Sequence, residues 1–222
     1  MTTPDRRLLP PAWWSLAGLA WVSSALVLAG LAWHLHRTGS GGRVDVTLDT
    51  RLAIRLGAHG RTLERLTQLG SPQFVVGASV ALGLLAATLR WWRGAALGLL
   101  GAPLAGAVTD LALKPFVAAH APQGPDGRAL AFPSGHTTGA FGVALVLAVL
   151  LLPRTGGSAL PAVLRLLLGV VALGLAAGTA VSVVALGFHR TTDAVGGFAT
   201  ATLVVLGAAA ALDVAARSRA GA

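Results

Sequence analysis

Six stretches of the chain, 12–33, 73–89, 94–109, 137–152, 166–188 and 194–212, are dominated by apolar residues and hold no charged residue. Most approach the roughly 20 residues that an α-helix needs to cross a bilayer. The shorter ones reach that length by taking in flanking turns, and the third then includes Asp110 near its end, where a tilted helix still reaches the interface. Six such runs argue against a soluble helical core and predict an all-α, integral-membrane six-helix bundle. Residues 48–69 differ: Leu48, Leu52, Leu56, Leu63 and Leu66 recur near a helical period, with Arg51, Arg55, Arg61 and Arg65 between them. That pattern predicts an interfacial amphipathic helix in the first loop, its arginines turned toward lipid headgroups.

Tryptophan placement agrees with these spans. Trp91 and Trp92, flanked by Arg90 and Arg93, mark a membrane boundary between the second and third, and Trp13 and Trp14 mark one at the first. No polar linker separates two domains, so the expected organisation is an N-terminal cytoplasmic tail (1–11), one membrane domain (12–212) and a C-terminal tail (213–222). Arg6 and Arg7 precede the first run as in a signal peptide, but the run is long and no A-x-A-like cleavage site follows; it is read as a retained anchor.

Composition narrows the setting. Of 222 residues 55% are hydrophobic and 11% charged, the latter about half the usual fraction, which points to lipid as the main solvent. The absence of cysteine excludes disulfides and thiolate metal sites. A formal charge of +9 is scattered over every loop and both termini, which suits anionic headgroups and not a nucleic-acid stripe. With the N-terminus inside, basic residues divide eight against nine; with the first loop set aside as interfacial the division is eight against three, favouring both termini in the cytoplasm.

Candidate chemistry lies in 109–198. Lys114 is the one lysine among seventeen basic residues and ends the third span, where it either snorkels, pairing with Asp110 one turn earlier, or serves a ligand. His189 and Asp193, four apart, share a helical face; the carboxylate either caps the helix or holds the imidazole Nδ1–H and leaves Nε2 free to attack. Pro133-Ser134-Gly135-His136 opens the fourth span. Counting spans puts Lys114, His136, His189 and Asp193 on one membrane face. Two histidines, a carboxylate, a lysine and a serine-glycine helix start are what phosphoryl transfer through a covalent intermediate needs.

Lys114, Pro133-Ser134-Gly135-His136 and His189-x-x-x-Asp193 resemble the three signature motifs of the type 2 phosphatidic acid phosphatase superfamily, the lipid phosphate phosphatases related to vanadium haloperoxidases. The resemblance covers about 45–212 in order and topology. It implies that His189 is the nucleophile forming a phosphohistidine, that Asp193 orients it, and that His136 protonates the leaving oxygen. It further implies that Lys114, Ser134 and Gly135 bind the phosphoryl oxygens, with no metal or organic cofactor. The two histidines then need opposite protonation states, neutral at His189 and protonated at His136.

Two positions depart from the family pattern. The first motif normally reads K-x6-R-P and the third S-R-x5-H-x3-D; here Ala121 precedes Pro122 and Val183 follows Ser182. Arg128, in the loop before the serine motif, and Arg190, beside the nucleophile, are candidate replacement guanidiniums, with His120 a third. The expected activity is hydrolysis of a lipid phosphomonoester or diphosphate, polyprenyl diphosphate first, then phosphatidate or phosphatidylglycerophosphate, at the extracytoplasmic face of a bacterial cell membrane. The alternative is a degenerate homologue that binds or moves phospholipid without hydrolysis. A serine protease using Ser134 lacks any surrounding nucleophile motif, and a haloperoxidase would not be membrane-embedded.

Overall fold

The computed structural model describes residues 7–39, 41–119, 130–152 and 160–220, which are almost entirely helical. The helices are α1 (Trp14–Thr38), α2 (Gly42–Leu56), α3 (Gly60–Thr67), α4 (Pro72–Thr88), α5 (Trp92–Val108), α6 (Lys114–Val117), α7 (Gly135–Leu151), α8 (Ala162–Ala185) and α9 (Thr191–Ala220). Each of the six uncharged runs is helical. Their starts follow local chemistry: Ser71 Oγ accepts the Phe74 amide ahead of α4, with Pro72 in the first turn, and Pro161 precedes α8.

By length and apolarity, four helices suffice to cross a membrane: Pro11–Thr38, Trp92–Val117, Ala162–Ala185 and Thr191–Ser218. A fifth is reached if Gly42–Gly70 and Pro72–Thr88, bent by 52°, count as one span. The expected six are not reached on length, because α4 and α7 have only 17 residues each.

One further expectation is revised. The amphipathic stretch 48–69 is two helices, broken by a turn at Gly57–His59 where Gly57 and Gly60 weaken helix continuity. Leu63 is buried and Leu52, Leu56 and Leu66 are half-buried, whereas Leu48 and the four arginines are exposed. Residues 213–220 continue α9. Trp91 is buried against Leu8 and Leu9, which the sequence placed in the N-terminal tail, whereas Trp92 is exposed.

Helix α7 sits at the centre, packed against α5, α8 and α9, and α9 in turn packs on α1 and α5. Small residues permit this closeness: a methyl on Gly142 would sit 3.0 Å from Ala102 Cβ, and one on Gly98 would sit 2.6 Å from the Gly83 backbone. The helices α2 and α3 lie across α8. Leu19, Leu26 and Trp33 of α1 and Val163, Leu166 and Val170 of α8 point outward, as expected of lipid-facing surfaces.

At the end of the bundle away from the candidate chemistry, the fully buried Asp213 accepts the Leu8 and Leu9 amides, both at 2.9 Å, and Arg93 Nη1 at 3.1 Å. A buried carboxylate is tolerated only with such partners. Removing it leaves two amides of the N-terminal segment without their acceptor. Asp213→Ala should therefore destabilise the protein by about 3 kcal/mol, read as a lowered thermal midpoint in detergent; an unchanged midpoint would contradict this role.

Candidate active site

The serine motif forms the start of α7. Buried Ser134 is the N-cap: its Oγ accepts the Thr137 amide at 3.3 Å, and its carbonyl accepts the Thr138 amide at 2.9 Å and Thr138 Oγ1 at 2.8 Å. Thr109 Oγ1 donates to Thr138 Oγ1 at 3.1 Å, tying this turn to the end of α5. The leading amides of a helix have no intrahelical partner. Those of Thr137 and Thr138 are thus satisfied, while Gly135 and His136 have no such acceptor among the described residues.

His189 arrives from the end of α8. Gly187 adopts a left-handed φ of 75°, which glycine takes without strain, and the Val183 carbonyl then accepts the Phe188 and His189 amides at 3.0 and 3.2 Å. Fully buried Asp193 accepts the Arg190 amide through Oδ2 at 2.9 Å, and the same oxygen lies 3.5 Å from His189 Nδ1. At that separation no hydrogen bond is formed, and His189 Nδ1 and Asp193 Oδ1 remain buried without a partner among the described residues. A small approach of the ring would complete the pair, a tightening common when substrate binds.

The two helix starts are joined directly. Ser134 donates its amide to the Asp193 carbonyl at 2.9 Å. Gly197 makes the approach possible, since a methyl there would lie 2.7 Å from the Ser134 carbonyl oxygen and 3.1 Å from the Thr138 nitrogen.

Two residues of α2, unassigned in the sequence reading, complete this region. Asp49 Oδ1 accepts the Thr191 amide at 3.1 Å and Thr191 Oγ1 at 2.7 Å; Asp45 accepts the Thr192 amide at 3.0 Å and Thr192 Oγ1 at 2.7 Å. Burial pushes the Asp49 carboxyl above the usual carboxylate range, and the hydrogen bonds from Thr191 partly offset that. Two acids four apart in an otherwise basic helix were the available signal. The α9 start is therefore filled by carboxylates, whereas the α7 start is open to an anion.

Lys114 is placed by a π-helical turn, Thr109–Leu113, in which its amide reaches back to the Thr109 carbonyl. Pro115 cannot donate to the preceding turn, which accounts for the widening. Lys114 Nζ pairs with Asp110 Oδ1 at 2.8 Å. A methyl built on Gly135 would lie 3.7 Å from that Nζ and 3.9 Å from that oxygen.

Lys114, Asp110, Gly135, His136 and His189 line one cavity of about 620 Å³, whose other walls include Val75, Val76 and Pro103 from α4 and α5. Ser134 and Asp193 lie behind this wall, fully buried. Arg190 is not on the wall: its Nη1 donates to the Gly39 carbonyl at 3.4 Å. Val183 is buried in an apolar cluster with Leu52 and Ala180 and does not line the cavity. Arg128, His120 and Ala121 lie outside the described residues. Among the described residues on the wall, Lys114 is the one lysine or arginine, and no group of three His, Cys, Asp or Glu side chains is spaced to hold a metal.

The model of the PAP2 superfamily matches residues 98–216, a segment that holds all three motifs. The chain belongs to the PAP2 superfamily. No match was found among curated protein sequences. The fold is similar to the crystal structure of a transmembrane PAP2-type phosphatidylglycerolphosphate phosphatase from Bacillus subtilis, with 23% identity and a TM-score of 0.67 over 87% of this chain and 96% of that one. The PAP2 motifs thus converge on one cavity, and the family's two motif arginines have no counterpart on its described wall.

The junction between α7 and α9 is directly testable. Gly197→Ala should cost about 1–3 kcal/mol through overpacking against backbone, whereas Gly174→Ala in α8, where a methyl would meet nothing within 4 Å, should gain up to about 1 kcal/mol. Equal thermal midpoints for the two variants would contradict the close approach.

Proposed function

We propose that the protein is a membrane phosphatase that hydrolyses a lipid phosphate through a phosphohistidine at His189. The observation that carries this reading is the cavity itself: His136, His189, Lys114 and the Gly135 turn gather at one place, while α4 and α5 supply apolar wall for a lipid tail. A phosphoryl group seated at the α7 start would receive the Gly135 and His136 amides, the helix dipole and Lys114. The cap Ser134 would hold that turn in shape and offer its hydroxyl.

In the first step His189 Nε2 attacks phosphorus, the bond to the lipid oxygen breaks, and His136 gives that oxygen its proton. Asp193 holds Nδ1–H and stabilises the ring as it becomes cationic. In the second step water attacks the phosphohistidine, His136 takes the water's proton, and inorganic phosphate leaves with His189 neutral again. Arg128 remains the candidate for an additional phosphate contact, and Arg190 would reach the substrate only by leaving the Gly39 carbonyl.

All six apolar helices would cross the membrane, with α7 at 17 residues spanning about 25 Å because it lies inside the bundle. Both termini would then be cytoplasmic and the site extracytoplasmic, in a bacterial cell membrane. The solved PAP2 phosphatase supports a phosphatidylglycerophosphate-like monoester ahead of the polyprenyl diphosphate favoured by sequence. The alternative of binding without hydrolysis draws on buried Val183 and on a lysine already paired with Asp110.

Detergent-purified protein incubated with phosphatidylglycerophosphate, phosphatidate and a polyprenyl diphosphate should release phosphate from at least one, with the monoesters fastest. His189→Ala should reduce release by about 10⁴-fold or more, as loss of a covalent nucleophile does. Equal release by both proteins would overturn the assignment of His189, and binding without release would favour the non-hydrolytic reading.

A further inference from the structure

Asp110 is the one group on the cavity wall that the proposed chemistry leaves without a task. It is an acid in what should be an anion site. Its Oδ1 lies 2.8 Å from Lys114 Nζ, and both atoms border the space above Gly135, at 3.9 and 3.7 Å from where a methyl would stand. A phosphoryl oxygen bound by Lys114 and the α7 start would need that same space. The π-helical turn Thr109–Leu113 carries Asp110 and ends immediately before Lys114, so the pairing is built into the backbone at this point.

We propose that Asp110 is the resident anion of the phosphate cradle: it holds Lys114 in the empty site, competes with the phosphoryl group for it, and biases the enzyme toward single phosphate groups over diphosphates. This rests on the reading of the cavity as a phosphate site. The Asp110 side chain is 58% exposed and that of Lys114 22%, and ion pairs so open to water are weak. An incoming phosphate therefore displaces the carboxylate, which turns out into solvent.

The cost of displacement is electrostatic and grows with ligand charge. On the described wall Lys114 faces Asp110 and is accompanied by no second lysine or arginine, so the carboxylate cancels most of the fixed positive charge of that wall. A diphosphate brings more negative charge to the same place than a monoester and is penalised more. Weak retention of inorganic phosphate follows as well, which speeds product release.

The test uses the full chain in detergent, as wild type, Asp110→Asn and Asp110→Glu, with inorganic phosphate and pyrophosphate as probes. Binding is measured by titration calorimetry, and inhibition of lipid-phosphate hydrolysis is measured alongside. Asp110→Asn should bind phosphate about tenfold more tightly than wild type, and pyrophosphate with a larger gain. KM should fall, and kcat should fall too if release becomes limiting. Asp110→Glu should stay close to wild type. Unchanged or weaker phosphate binding by Asp110→Asn would overturn the proposal, as would equal gains for the two probes. Because a carboxylate that merely propped Lys114 would lose affinity when neutralised, a gain separates competition from support. If wild type releases no phosphate from any lipid and Asp110→Asn still gains affinity, the proposal stands and the hydrolytic reading falls. If hydrolysis is observed without that gain, the reverse holds.

Discussion

The hydrogen bond from the Ser134 amide to the Asp193 carbonyl, 2.9 Å long, joins the two helix starts from which the site is made. One start carries the Gly135 and His136 amides and the His136 ring; the other carries His189 and its buried carboxylate. The proposed reaction draws on both halves. Their separation is set by backbone meeting backbone, with Gly197 beneath Ser134 and Gly196 against the Phe132 ring. A methyl on Gly197 would meet the Ser134 carbonyl oxygen at 2.7 Å, so this contact has little slack.

The same pair of helices shows how one physical feature serves two ends. Both α7 and α9 present a positive dipole end to one region of the protein. At α9 the charge is consumed internally, because Asp45, Asp49 and Asp193 accept the amides of Thr192, Thr191 and Arg190. At α7 the cap is a neutral serine, and two amides stay open. The carboxylates of α2 thereby fix the segment that follows His189, and in the proposed reading the anion takes the α7 start. The remaining positive charge on the described wall comes from Lys114, tempered by Asp110.

Much of this was written in the sequence, and the parts that were not have physical reasons. The six uncharged runs are helices, as long apolar runs bounded by charge and turn residues predict. The motifs that carry Lys114, His136 and His189 meet at one cavity because the ends of α5 and α8 and the start of α7 lie together in the helix bundle. The Asp45 and Asp49 contacts were hidden because they depend on how a polar connecting helix folds back, which periodicity does not encode. The break at Gly57–His59 was masked by leucines that keep nearly the same spacing across it. Val183 reads as a missing arginine in the motif, and in the fold its side chain packs in an apolar cluster with Leu52, a tertiary contact the motif does not reveal. Trp91 shares a buried cluster with Leu8 and Leu9, a contact between distant parts of the chain that local pattern does not encode.

The central claim is that a phosphate sits at the α7 start with His189 aligned behind it. Orthovanadate, which takes the geometry of phosphorus under attack, tests this most directly in an experimental structure of the full chain. The account predicts vanadium bonded to His189 Nε2, with oxygens on the Gly135 and His136 amides and on Lys114, and Asp110 turned away. Vanadate bound at the α9 start, or held in the cavity without a bond to His189, would contradict it.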